Sequence, residues 1–378
     1  MKQYALSFFL CAAMGIAAFA GPLTRAYGNE PRPTLDEMIG QMLIFGFPGS
    51  RVEQKFPQTI ARQLASGTIG GVIFLKQNLK NRRDARRLMH AFRAAGSKAR
   101  HTPLYVLDQE GGRVQRLGPA VGIKTWPSPA SIGRGPMARA RKQYDALAAT
   151  LDAWGFNVNL GPVVDVKVNP ANPIIGKLGR SFSADPDRVT EFAKVFIDTH
   201  RARGILTSLK HFPGHGSSRQ DSHLGFTDIS RTWKGDKELA PFRALITSGS
   251  ADMVMIGHLY LARYQAPGDT SRYPATLSRE LVTGVLRGEL GFNGVVISDD
   301  MEMGAIRKLY PAYEAALLAI RAGIDLLIIS NSAKPDASLP EKYAAKIKRE
   351  AEQDPSLRAR IEESYRRIVA LKQRLRPR

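Results

Sequence analysis

Along the chain, short apolar runs alternate with longer stretches in which apolar residues recur at helical spacing. Eight runs read as strands: Leu43–Phe45, Gly71–Leu75, Leu104–Asp108, Asn157–Leu160, Ile205–Leu209, Met253–Ile256, Val295–Ser298 and Asp325–Ile329. Helices are predicted at Thr34–Met42, Pro57–Ala65, Asn81–Ala95, Ala138–Trp154, Pro186–Arg203, Lys237–Thr247, Arg279–Leu290 and Pro311–Ala322. A last helical stretch covers Pro340–Leu375, with a break expected near Pro355. Apolar strands flanked by amphipathic helices imply a parallel sheet covered on both faces. Eight such units predict an α/β fold, a single TIM-type (β/α)8 barrel, with room for irregular or missing barrel elements. An open doubly wound sheet is the alternative. It calls for a glycine-rich phosphate loop after the first strand. Gly46-Phe47-Pro48-Gly49-Ser50 is neither a dinucleotide fingerprint nor a P-loop, and no cofactor is expected.

The N-terminus departs from the alternation. Lys2 precedes an apolar run from Tyr4 to Ala20 that ends in Ala18-Phe19-Ala20. A small-x-small end followed by Gly21-Pro22 predicts a signal peptide over residues 1–20, cleaved before Gly21. An uncleaved anchor is the alternative, since a run of about 17 residues is at the lower edge for crossing a bilayer. Residues 21–33 read as a linker of Pro, Gly and Asn, and residues 34–378 as the barrel with its C-terminal helices. A periplasmic or secreted location follows. Cys11, the one cysteine of the 378 residues, leaves with the signal segment. A thiol-free mature chain suits an oxidising compartment.

Composition changes the picture in two ways. The 43% hydrophobic and 24% charged residues exclude a disordered chain, and a single cysteine excludes both a disulfide framework and a cysteine metal site. Lys and Arg exceed Asp and Glu by 55 to 34, a net charge of +21. Arg82, Arg83, Arg86, Arg87 and Arg93 crowd one predicted helix, and Lys372, Arg374, Arg376 and Arg378 close the chain. No helix-turn-helix, zinc-finger or aromatic RNA-binding signature accompanies them, so nucleic acid is not the expected partner. A solvated basic surface is expected, with weak contact to anionic envelope polymers and lipids. A monomer is expected.

Polar chemistry gathers where the strands end, the location of active sites in such barrels. The third strand runs into Asp108-Gln109-Glu110-Gly111-Gly112-Arg113-Val114-Gln115-Arg116. The fifth runs into Lys210-His211-Phe212-Pro213-Gly214-His215-Gly216, then Asp221-Ser222-His223. The sixth ends at Gly257-His258 and the seventh in Ser298-Asp299-Asp300. Each group alone also fits a cap, a turn or a satisfied structural histidine. Their convergence on one mouth favours function, because burying many ionisable groups for stability alone is costly. Asp221, two residues before His223, can orient the imidazole and stabilise its protonated form. With no G-x-S-x-G elbow to supply a serine, a carboxylate nucleophile at Asp299 with His223 as proton donor is the better constellation. A metal held by His211, His215 and His223 lacks H-E-x-x-H, and Lys210 would oppose a cation, so no metal is expected.

The Lys210–Gly216 and Asp221–His223 segments closely resemble family-3 glycoside hydrolases of the bacterial β-N-acetylglucosaminidase (β-hexosaminidase) branch. Asp108–Arg116, Gly179-Arg180-Ser181-Phe182, Pro274–Ser278 and Gly291–Met301 match as well, so the resemblance runs from about Thr34 to about Asn331. It implies an exo-acting retaining enzyme that removes terminal β-linked N-acetylglucosamine from cell-wall (muropeptide) or chitin-derived fragments. Asp299 would attack the anomeric carbon, His223 would serve as acid and then base, and Asp221 would hold His223. A histidine replaces the second carboxylate usual in retaining glycosidases. An imidazole, with an ordinary pKa of about 6.5, suits both roles near neutrality. By the same resemblance Asp108, Arg116, Arg180, Lys210 and His211 would bind the terminal sugar. Asp300 is the rival nucleophile, and His215 and His258 would sit near the chemistry without performing it.

One departure stands out. Many members carry Leu-Pro shortly after the dyad histidine, where this chain reads Leu224-Gly225-Phe226-Thr227-Asp228. A family-3 β-glucosidase or β-xylosidase is the rival activity. Those commonly use a second domain for the proton donor, and the residues after the eighth strand are too few for one. A noncatalytic wall-binding barrel is the rival class, and it would have no use for a nucleophile with an acid/base pair. A cis Phe212–Pro213 bond is expected at the turn after strand five.

Overall fold

In the computed structural model, which describes residues 32–266, 268 and 270–376, the eight apolar runs form one closed parallel barrel. The predicted signal segment 1–20, and the linker up to residue 31, lie outside the described residues. In chain order the strands are β1 (Leu43–Phe45), β2 (Gly71–Ile73), β3 (Leu104–Leu107), β4 (Gln109–Gly111), β5 (Val114–Gln115), β6 (Val158–Asn159), β7 (Leu206–Phe212), β8 (Met253–Ile256), β9 (Val295–Asp300) and β10 (Leu326–Ile329). β4 and β5 form a separate antiparallel hairpin. The other eight are the barrel, each beside its sequence neighbour. β1 closes the ring on β10 with Leu43, Ile44 and Phe45 opposite Leu327, Ile328 and Ile329. All eight barrel elements are present.

The helices form for recognisable local reasons. Asn81 caps Arg82–Gly96 by accepting from the Asp84 amide, and Asp185 caps Pro186–Arg201 through the Asp187 amide. The expected break at Pro355 separates Leu339–Gln353 from Pro355–Lys372. Asp354 caps the second helix through the amides of Ser356 and Leu357. The predicted helix at Arg279–Leu290 is instead π-helical over Glu280–Glu289. Its final turn is the five-residue Leu290 N–H to Val285 carbonyl bond.

Two strands run on past the apolar runs, and several stop short of them, β2 at Ile73. β6 keeps only Val158 and Asn159. β7 continues past Leu209 through Lys210, His211 and Phe212, and β9 continues through both aspartates. Polarity ends an apolar run but not a strand when the polar side chains find partners in the barrel mouth. The Phe212–Pro213 bond is cis, as are Gly161–Pro162 and Lys210–His211.

Acids at the opposite ends of the strands have another task. Asp325, before β10, accepts from the Val296 amide at 2.9 Å, Arg287 at 2.7 Å and Ser364 at 2.9 Å, and pairs with Arg360. Asp252, before β8, accepts from the Thr207 amide at 3.1 Å and pairs with Arg201 at 2.8 Å. These buried carboxylates tie the outer helices to the floor of the barrel and leave its C-terminal mouth for chemistry.

Candidate active site

The barrel mouth opens into a cleft of about 430 Å³, within the range of roughly 300–1,000 Å³ typical of small-ligand pockets. Asp108, Arg116, Arg180, Lys210, His211, Asp221, His223 and Asp299 all line it, together with Asp300, Met255, Met303 and Ile174. The strands thus bring every residue of the proposed catalytic and sugar-binding sets to one surface. His215 and His258 are buried and do not line the cleft.

A hairpin builds one wall. Gly111 and Gly112 turn it with φ of 97° and 61°. A Cβ on Gly111 would lie 2.2 Å from the Pro127 carbonyl oxygen, so the turn has no room for a side chain. Buried Gln109 fastens the return strand: its Oε1 accepts from the amides of Arg116 and Leu117 at 2.8 and 3.0 Å, and its Nε2 donates to the Leu117 carbonyl at 2.9 Å. Arg116 is thereby folded back onto Asp108, donating to Oδ2 at 2.8 Å.

Behind the hairpin lies a buried network of alternating charge. Lys210 Nζ donates to Asp108 Oδ1 at 2.8 Å and is also 2.8 Å from Glu110 Oε1. Arg180 grips Glu110 with two bonds of 2.8 Å. Burial opposes ionisation of Asp108, but Lys210 and Arg116 outweigh it and hold that carboxyl below its ordinary value. Burial likewise opposes charge on Glu110, yet Arg180 and Lys210 bring its carboxyl down to about 2. Burial disfavours the Lys210 ammonium, but the two carboxylates overcome this and raise its pKa.

Asp165 organises the histidines beside this network. Its Oδ2 receives His211 Nδ1 at 2.7 Å, and its Oδ1 accepts from the backbone amides of His211 at 3.1 Å and His215 at 2.7 Å. Burial works against the Asp165 charge, but His211 outweighs it and the carboxyl is held to about 2. Arg180 Nη2 lies 3.3 Å from His211 Nε2. An arginine only donates, so His211 accepts there and its ring proton sits on Nδ1 toward Asp165. The hydrogen-bond pattern assigns this tautomer.

Neither Asp165 nor Glu110 belonged to the sites read from the chain. Glu110 lies inside the Asp108–Arg116 motif, and its pairing with Arg180, seventy residues later, has no local signal. Asp165 stands alone in the apolar run Val163-Val164-Asp165-Val166. A lone acid in such a run signals a buried carboxylate with obligatory partners.

The two aspartates ending β9 occupy different environments. Burial opposes the Asp299 charge, but the imidazoles of His211, His258 and His223 and the Asp300 amide outweigh it, keeping the carboxyl below its ordinary value. Asp300 is pushed up to about 6 by burial, although the amides of Ser330 and Glu302 donate to its Oδ1 at 2.9 and 3.1 Å. His258 Nε2 meets the Asp300 carbonyl oxygen at 2.9 Å and so donates to it, while Nδ1 faces the Thr276 hydroxyl at 2.7 Å. On the rim, His223 Nδ1 meets Asp221 Oδ1 at 2.7 Å, and the His223 amide donates to the same oxygen at 2.9 Å. The cleft thus holds an ionised carboxylate, an imidazole–carboxylate pair and a wall of fixed charges suited to hydroxyl and amide groups.

Known proteins resemble this chain in sequence and fold. Residues 34–371 match the glycosyl hydrolase family 3 N-terminal domain. β-Hexosaminidase A of Pseudoalteromonas piscicida is 30% identical over 376 aligned residues, covering 90% of this chain. The chain spans 61% of that relative's length. An uncharacterized secreted glycosyl hydrolase of Arthroderma benhamiae is 30% identical, with 89% of this chain and 92% of that protein covered. The crystal structure of β-N-acetylhexosaminidase from Beutenbergia cavernae superposes with a TM-score of 0.80 at 30% identity, over 91% of this chain and all of that one. Family match, sequence identity and fold agree, and the chain belongs to glycoside hydrolase family 3.

Proposed function

We propose that this protein is an exo-acting, retaining β-N-acetylhexosaminidase that removes terminal β-linked N-acetylglucosamine from cell-wall or chitin-derived fragments. One observation carries the reading: the half-buried carboxylate of Asp299 and the rim pair Asp221–His223 line the same sugar-sized cleft. An ionised carboxylate is what nucleophilic attack on an anomeric carbon requires. Asp300 is the poorer candidate, because two backbone amides occupy its Oδ1 and burial favours its neutral form.

In the first step Asp299 attacks the anomeric carbon while His223 Nε2 gives its proton to the departing glycosidic oxygen. Asp221 stabilises the protonated ring through Nδ1. In the second step water attacks the same carbon while His223 takes its proton, the bond to Asp299 breaks to return the carboxylate, and the sugar leaves with its configuration retained. Asp108, Arg116, Arg180, Lys210 and His211 hold the terminal sugar. Their mutual pairing fixes donors and acceptors before substrate arrives, so little ordering remains to be done on binding.

Residues 1–20 are taken as an export signal, and a secreted or periplasmic enzyme is in keeping with the secreted Arthroderma benhamiae relative. The basic helix Arg82–Gly96 gives a surface for weak contact with anionic envelope components. The test is hydrolysis of an aryl β-N-acetylglucosaminide beside the matching β-glucoside. Preferential turnover of the acetamido sugar is expected. Preference for the glucoside would overturn the specificity.

A further inference from the structure

The segment between the two dyad residues is anchored in an unexpected way. His223 is exposed on the rim, with 57% of its side chain accessible, and Asp221 is half-buried. Ser222 between them is only 2% exposed. Its hydroxyl points inward and meets His215 Nε2 at 3.1 Å. His215 is itself buried, and its backbone amide donates to Asp165 Oδ1, the atom that also accepts from the His211 amide.

The protonation of His215 follows from its surroundings. Its Nδ1 has no hydrogen-bond partner among the described residues. A buried N–H without an acceptor is rarer in folded proteins than a buried acceptor without a donor. The ring proton therefore belongs on Nε2, where it is donated to Ser222 Oγ. Burial, reinforced by the neighbouring His211, lowers the His215 pKa to about 4, so the ring stays neutral where an envelope enzyme works.

The backbone of the same segment is docked on the stretch that follows the nucleophile strand. The Ala305 amide donates to the Ser222 carbonyl at 3.3 Å, and the Gly304 amide to the His223 carbonyl at 3.2 Å. The approach is close enough that a Cβ on Gly304 would lie 2.8 Å from the His223 carbonyl oxygen and 2.9 Å from the Leu224 carbonyl.

We infer that Ser222 and His215 are positioning residues: the His215–Ser222 bond, together with docking on Gly304 and Ala305, holds the Asp221–His223 pair over Asp299. This rests on the acid/base role proposed for His223. It also gives the second histidine of Lys210–Gly216 a task outside the chemistry. Through Asp165, the same framework carries the sugar-wall residue His211 and the support of the proton donor.

A leaving-group series tests it, using aryl β-N-acetylglucosaminides from 2,4-dinitrophenyl to phenyl with the full chain and the variants Ser222→Ala, His215→Phe, their double, Gly304→Ala and His223→Ala. A poor leaving group needs the proton donor and a good one does not. Ser222→Ala should lose about three- to tenfold in kcat/KM on the phenyl glycoside, the effect of one hydrogen bond, and nearly nothing on the dinitrophenyl glycoside. The double variant should be no worse than His215→Phe alone, since both remove one bond. Gly304→Ala should show the same gradient by displacing the loop backbone. A flat profile for Ser222→Ala and Gly304→Ala beside a steep one for His223→Ala would overturn the positioning role and leave the acid/base role standing. A flat profile for His223→Ala would overturn both.

Discussion

Glu110 offers a quantitative test of how the cleft is held together. It accepts two 2.8 Å bonds from Arg180 and lies 2.8 Å from Lys210, with only 1% of its side chain exposed. Its partners lower its carboxyl from an ordinary 4.5 to about 2. At 1.36 kcal/mol per tenfold change in proton affinity, this corresponds to about 3 kcal/mol of stabilisation at neutral pH. The figure agrees with the roughly 3–5 kcal/mol lost when one partner of a buried ion pair is removed. Glu110→Gln keeps the shape and removes the charge, leaving the buried guanidinium and ammonium short of one carboxylate. Urea unfolding at pH 7 should fall by about 3 kcal/mol, or about 1 M in midpoint for a slope near 3 kcal/mol per M. The pH dependence has a fixed sign. The folded-state carboxyl titrates below the unfolded one, so this stabilisation is complete above about pH 4.5 and is lost as pH falls toward 2. The gap between the two proteins should close over that window. An unchanged midpoint at pH 7, or a gap that widens in acid, would refute the reasoning.

Other consequences can be checked alongside it. Asp299→Ala should reduce turnover by several orders of magnitude, and full activity in the purified variant would remove the proposed nucleophile. Lys372 is buried with Nζ donating to Gln41 Oε1 at 2.6 Å and to the Gly70 carbonyl at 2.8 Å, and burial lowers its pKa to about 7. The unfolded chain then binds the extra proton between about pH 7 and 10.5, so this group makes stability rise with pH across that range. Lys372→Met should flatten the rise in a series of urea titrations, and an unaltered slope would count against it. Arg82→Glu with Arg83→Glu should weaken sedimentation with anionic vesicles and reduce its salt dependence. Equal binding by both proteins would remove the basic helix from any envelope contact.

The fold was legible because its signals are local. Runs such as Leu43–Phe45 and Met253–Ile256 are buried along their whole length, and the intervening helices carry their own caps at Asn81, Asp185 and Asp354. Reading failed where tertiary partners override composition. Lys210 and His211 continue β7 because Asp108, Glu110 and Asp165 satisfy them, and nothing near them in the chain announces those partners. The β4–β5 hairpin has no apolar alternation to announce it, because its strands are three and two residues long and pinned by Gln109. All eight proposed site residues reach the cleft, since motifs at successive strand ends of a barrel must converge. Asp165, the acid that accepts from the backbone amides of His211 and His215, was missed because its role exists only in the folded chain. The signal segment lies outside the described residues, and its export role stands as a proposal.

A retaining reaction requires Asp299 as its nucleophile. The most direct measurement is mass-spectrometric mapping of the protein after reaction with a slowly hydrolysed 5-fluoro β-N-acetylglucosaminyl substrate, which accumulates a covalent intermediate. One glycosyl adduct on Asp299 is predicted. An adduct on Asp300, or no adduct with release of the inverted anomer, would contradict it.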